Sequence, residues 1–318
     1  MSSQALPQPA TRPAVTTIIE PTKSWAQLRL GEVWRARELI YFLIWRDIKV
    51  RYKQTAIGAG WAVLQPLITV VIFSLLLGRY AHLPTGGISY PIFVFAGLLP
   101  WVYFAYSITQ SGKSLVDNEK LVTRLYFPRL ALPIATTFTG IPDFLVGCGV
   151  FAVMMAIFGV APTWHVVFMP VFFLLAVVTA LGVGLWLSGL NVRYRDIKYV
   201  LPFLTQIWMF ASPVVYSGEV VTGSFGLFGF RIDKATVYSL NPMSGVINGF
   251  RWSLLKFKAP ACLRETHVQC LKDIAAYHAN ARPPSTGVLA ASTAVAVFLL
   301  VSGVFYFKHM DKSSADVI

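Results

Sequence analysis

The chain has 318 residues, 56% hydrophobic and 13% charged, with a formal net charge of +13. Soluble domains carry about 25% charged residues, so half of the expected charge is missing and the composition excludes an ordinary soluble protein. In an integral membrane protein the positive balance bears on orientation through its distribution, and it is not a nucleic-acid signal.

Residues 1–24 are rich in Pro, Ser, Thr and Ala and have no basic start leading into an apolar core. A disordered cytoplasmic tail is expected there, not a cleaved signal peptide. Residues 25–56 form a basic segment. With 39–53 helical, Tyr41, Trp45, Ile48 and Tyr52 share one face while Arg46, Lys49 and Lys53 line another. Such a helix lies in the membrane interface, aromatics at headgroup depth and cations toward anionic lipid. A plain juxtamembrane basic segment fits the pattern equally well.

Apolar runs long enough to span fall at about 57–78, 91–112, 131–158, 164–190 and 286–307, with a shorter one at 200–217 interrupted by Pro202 and Pro213. The expected fold is all-α with six transmembrane helices in one membrane domain, 57–318. A further apolar patch, 237–257, contains Asn241-Pro242 and Arg251; it reads as a segment dipping in from one side. Lysine and arginine concentrate in the N-terminal region, 113–130, 191–199 and the C-terminal tail, which predicts cytoplasmic termini. The loop 218–285 carries eight more, but long loops translocate largely regardless of charge.

Few residues in this pattern suit catalysis. Ser107–Ser114 (SITQSGKS) approaches a phosphate-binding loop, yet Ser107 stands where the first glycine is required and no strand precedes it. The five histidines, His82, His165, His267, His278 and His309, are scattered without zinc spacing. The three cysteines, Cys148, Cys262 and Cys270, set no framework by number. The external side permits a Cys262–Cys270 bridge, although one continuous helix would hold them about 12 Å apart. Asp143 is the one acid inside a predicted span, where a charge costs roughly 2.5–3.5 kcal/mol. Two roles suit it: structural partner of a neighbouring polar group, or polar wall of a transport path.

The stretch Trp45–Pro66 (WRDIKVRYKQTAIGAGWAVLQP) resembles the start of the membrane subunit of ABC-2 type exporters that carry polysaccharides. The resemblance rests on Arg46, Asp47, Lys49, Arg51, Tyr52, Gly58, Trp61, Ala62, Leu64 and Pro66. It continues in Tyr126-Phe127-Pro128-Arg129, in Asn191, Arg193, Arg195 and Asp196, in the block from Asn241 to Leu255, and in the closing Ser314–Ile318. The first 20 or so residues and about 258–284 have no match.

The resemblance implies a homodimeric channel in the bacterial inner membrane, driven by two copies of a separate ATPase that binds ATP and Mg; no cofactor is expected in this chain. It implies external re-entrant helices before the last span and, as cargo, an undecaprenyl-type lipid-linked glycan of O-antigen type. ATPase coupling falls to Leu121, Arg124, Tyr126, Phe127, Pro128, Arg129, Arg193, Arg195 and Asp196, with Leu121, Val122, Leu125 and Phe127 as an apolar knob. The lipid headgroup falls to the interface residues Arg46, Asp47, Lys49, Arg51 and Lys53. Channel-lining candidates are Trp101, Tyr103, Phe104, Tyr106, Asp143, Trp208, Phe210 and Tyr216. Exporters of other lipids or small molecules, a membrane-embedded transferase and a passive channel are the alternatives.

Overall fold

A computed structural model describes residues 30–53, 60–194, 196–218, 224–227, 230–233, 238–257 and 267–313. Two helices lead in, α1 (Leu30–Arg35) and α2 (Arg37–Lys53). The first span joins α3 (Gly60–Phe73) to a π-helical continuation, Ser74–Tyr80. The second is α4 (Tyr90–Asp117), opened by Pro91 in its first turn, where a missing amide hydrogen costs nothing. After the short α5 (Glu119–Arg124), the third span is built from α6 (Ala131–Phe138) and α7 (Ile141–Ile157), broken at Thr139-Gly140. A 3-10 turn, Trp164–Phe168, runs into α8 (Met169–Arg193). Then come α9 (Ile197–Ala211), α10 (Pro242–Leu254), α11 (His267–Ala281) and α12 (Thr286–Ser313).

Five helical stretches are long and apolar enough to cross a membrane: Gly60–Tyr80, Tyr90–Asp117, Ala131–Ile157, Trp164–Arg193 and Thr286–Met310. The sixth expected span is cut short, because α9 has 15 residues and reaches about 22 Å before the turn at Ser212-Pro213. The fold is helical as expected; the described residues add one small antiparallel pairing, Ser224–Leu227 with Phe230–Asp233, Phe225 opposite Ile232. It sits in the long loop and leaves the helical layout intact.

The protomer is arranged around α4. Its apolar window is 78% buried, against 11% for the first span, so α4 is the centre and α3 the rim. Phe93, Phe95, Phe104 and Ile108 are almost fully enclosed. On one side α4 packs on α8, which in turn packs on α12. That second contact depends on absent side chains: a Cβ on Gly182 would lie 2.6 Å from the Leu300 amide nitrogen, and one on Gly303 would lie 2.6 Å from the Gly182 carbonyl oxygen. Helices in an apolar solvent gain most from such close backbone approach.

α10 is short and buried almost throughout, capped where the Met243 amide donates to Asn241 Oδ1 at 3.1 Å. It packs against α4, α8 and α12. Arg251 on this helix is fully buried. It donates to the carbonyls of Phe93 (3.4 Å), Tyr216 (2.9 Å) and Val214 (2.6 Å), its guanidinium 3.7 Å from the Phe93 ring centre. One cation thus joins the start of α4, the turn after α9 and α10. Cys270 of α11 is disulfide-bonded, Cys148 of α7 is a free thiol, and Cys262 lies outside the described residues.

α2 packs on α6 through an apolar face. Leu39, Ile40, Leu43 and Ile44 meet Val122, Leu130 and Leu132, while Tyr41 and Trp45 point outward. Of the four residues expected to share a face, Tyr52 alone turns into a cleft between the spans.

Candidate functional site

The third, second and first spans, α9 and the end of α2 surround a cleft of about 740 Å³. Helical periodicity dictates which residues face it. On α3 these are Trp61, Gln65, Thr69 and Phe73; on α4, Leu99, Val102, Tyr106 and Gln110; on α9, Pro202, Thr205, Gln206 and Met209. The lining is mostly apolar, aliphatic and aromatic, with neutral amides and hydroxyls set among it.

At one end lies a polar clasp. Arg51 Nη1 meets Asp143 Oδ2 at 2.6 Å, and the Tyr52 hydroxyl donates to Asp143 Oδ1. The Arg51 guanidinium rests 4.2 Å from the Tyr106 ring centre, and the Tyr106 and Thr139 hydroxyls are hydrogen-bonded at 3.2 Å. Burial and the bond to Asp143 push the Tyr52 phenol up to about 12, so it remains a proton donor. The break between α6 and α7 brings Asp143 here. A Cβ on Gly140 would stand 2.8 Å from the Tyr106 ring, so glycine lets the junction close against α4. Asp143 has structural partners in Arg51 and Tyr52 and also lines the cleft.

The other channel-lining candidates divide. Trp101, Tyr103 and Tyr106 face the cleft. Phe104 and Trp208 do not: their rings pack edge to face at 5.0 Å, and Trp208 Nε1 donates to Asn241 Oδ1 at 3.1 Å. The Tyr216 hydroxyl donates to the Phe210 carbonyl at 3.1 Å, away from the cleft, and Phe210 is exposed on the outer side of α9. Sequence reasoning missed Arg51 and Tyr52 as cleft residues, together with Trp61, Gln65, Thr69, Gln110, Thr205 and Gln206. The signal was there: neutral polar residues recur within apolar runs at spacings of three and four.

The coupling candidates also separate. Val122 is buried, and Leu121 and Phe127 pack against the same cluster as α2. Of the expected knob, Leu125 is left projecting, 56% exposed, with the fully exposed Tyr126 beside it. Arg124 and Leu121 line a groove of about 470 Å³ with Arg46 and Asn118. Pro128 and Arg129 are half-buried at the base of the loop. Arg193 is exposed beside the Tyr194 ring, Asp196 is exposed at the start of α9, and Arg195 lies outside the described residues. Among the interface cations, Arg46 bonds Asp47 (2.8 Å) and Asn118 (3.0 Å), and Lys49 lies over the Trp45 ring. Lys53 is exposed. The near-motif Ser107–Ser114 is continuous helix within α4, its serines buried and bonded to backbone carbonyls, which leaves no loop to wrap a phosphate.

Comparison with known proteins agrees with this layout. The O-antigen export system permease protein RfbA of Myxococcus xanthus is 28% identical over 233 residues, covering 72% of this chain and 85% of that protein. RfbA of Klebsiella pneumoniae is 25% identical over 217 residues, covering 67% and 79%. The polysialic acid transport protein KpsM of Escherichia coli is 24% identical over 179 residues, covering 55% and 68%. Residues 38–255, more than half of the chain, match the ABC-2 type transporter family. Five helices long and apolar enough to cross a membrane, together with that match, make this chain a membrane permease belonging to the ABC-2 type transporter family.

Proposed function

We propose that the chain is the channel-forming subunit of an ATP-driven exporter that moves a lipid-linked polysaccharide, of O-antigen type, across the cytoplasmic membrane. The observation that carries this reading is the cleft lining. Rings at Trp61 and Tyr106 offer apolar surface to sugar C–H groups, and the amides of Gln65, Gln110 and Gln206 offer hydrogen bonds to hydroxyls. Weak, repeated contacts of this kind suit a polymer that must slide.

Two copies complete the conduit. The cleft is flanked by exposed apolar residues of α3 (Leu64, Ile68, Val71) and α9 (Phe203, Leu204, Ile207), which suit burial against a second copy. ATP is bound by a separate subunit, which grips the exposed Leu125-Tyr126 tip beside the groove of Arg46, Lys120 and Arg124. Both termini then lie in the cytoplasm, α10 dips in from the opposite side, and Lys49 and Lys53 meet the lipid headgroup. Arg46 and Arg51 are already engaged by protein groups.

Affinity purification from the native membrane in mild detergent tests this directly. A stoichiometric soluble ATPase in the eluate supports it. Recovery of the chain alone, with no ATPase activity in any detergent, overturns it in favour of a passive channel or an enzyme.

A further inference from the structure

The charge arrangement of the cleft bears on the chemistry of the polymer. Arg51 and Asp143 are the ionisable cation and anion among its lining residues, and they neutralise each other at 2.6 Å. Tyr52 takes the second carboxylate oxygen, and the Tyr106 ring covers one face of the guanidinium. Residues 54–59, which lead from Lys53 into the first span, are Gln, Thr, Ala, Ile, Gly and Ala and add no charge.

The rest of the polar lining is neutral. The hydroxyls of Thr69, Thr109 and Thr205 donate to carbonyls of their own helices at 2.7–2.8 Å, so toward the cleft they act as acceptors. The carboxamides of Gln65, Gln110 and Gln206 line the cleft and supply both donors and acceptors. Sugar hydroxyls find complementary partners on such a wall. Carboxylates or phosphates do not: a fixed anion moved into a low-dielectric path keeps a large desolvation cost unless a cation meets it. Among the described lining residues the cation is Arg51, and Asp143 already holds it.

We propose that the repeating unit of the exported polymer is uncharged, and that Asp143 suits the cleft to such a unit by pairing with Arg51, which would otherwise draw anionic groups into the path. This inference rests on the exporter reading above. It assigns the substrate class within that reading: neutral hexose, deoxyhexose or N-acetylated amino-sugar polymers, not uronate, sialate or phosphate-bridged ones.

The test is chemical analysis of the surface glycan that disappears when the chain is deleted from its source organism and returns when it is restored. The glycan is released, separated from its lipid end and passed over an anion exchanger. The expected result is a polymer that flows through without retention and yields only neutral or N-acetylated sugars. A retained polymer with a carboxylate or phosphate in each repeat would overturn the inference while leaving the exporter reading in place. A surface glycan unchanged by deletion would overturn the exporter reading, and this inference with it.

Discussion

Replacing Arg51 by Gln removes one arm of the clasp and leaves Asp143, 18% exposed, with the Tyr52 hydroxyl as its remaining partner. Two unit charges 4 Å apart attract by about 4 kcal/mol at an effective dielectric constant of about 20. Arg51 is 39% exposed, and solvent screening reduces the pair toward the value of surface ion pairs, about 0.2–1 kcal/mol. Between these limits a coupling of about 1–2 kcal/mol is expected. The assay is a double-mutant cycle on unfolding of the purified protein in mild detergent, using Arg51→Gln, Asp143→Asn and the double variant. Each single change should destabilise, and the double change should cost less than the sum by the coupling energy. Additivity within about 0.3–0.5 kcal/mol would refute the clasp as an energetic link between α2 and the third span.

Other consequences follow from burial and hydrogen bonding. Arg251→Leu removes the donor to the Phe93, Val214 and Tyr216 carbonyls, and each buried acceptor left unsatisfied costs about 1–3 kcal/mol, so the variant should fail to accumulate in the membrane; wild-type abundance on an immunoblot would contradict the role given to Arg251. Tyr126→Ala removes a fully exposed side chain and should alter stability by less than about 0.5 kcal/mol, yet it should abolish co-purification of the ATPase or its coupling to export. Gly182→Leu should separate α8 from α12 and destabilise by more than about 2 kcal/mol, read from the same unfolding assay. The Tyr52 phenol is raised from 10.0 to about 12 in the folded protein. Its contribution is therefore complete below pH 10.0 and lost as pH rises through about 12. The stability difference between wild type and Tyr52→Phe should stay constant with pH until that alkaline window.

Spans were legible because hydropathy is a property of consecutive residues. The first four and the last follow their apolar runs to within a few positions, α4 excepted, which continues past residue 112 to Asp117. The run at 200–217 misled, since Pro213 and the serines beside it end the helix at Ala211 even though apolar residues continue. The hairpin at 224–233 was missed because its Phe, Gly and Leu residues lie in a glycine-rich stretch with no clean alternation. The clasp was not legible at all. Tyr52 and Asp143 are 91 positions apart, and nothing local records that the break at Gly140 brings them together. Aromatic density gave the right helices and the wrong rings: Trp101 and Phe104 are three positions apart on α4, yet Trp101 faces the cleft while Phe104 packs on Trp208. The neutral amides were the better guide, because an unpaired Gln65 or Gln206 in an apolar run needs a polar surface to face.

The central claim is that this cleft conducts a glycan at the expense of ATP hydrolysed by a partner subunit. Inverted membrane vesicles containing the chain and its ATPase, supplied with radiolabelled lipid-linked glycan on the outer face, measure this directly. The account predicts that label becomes protected from external glycosidase when ATP is added, and that protection fails with a non-hydrolysable analogue or when Gln65 and Gln206 are replaced by Leu. Label that enters without ATP, or never enters while the ATPase remains active and bound, would contradict it.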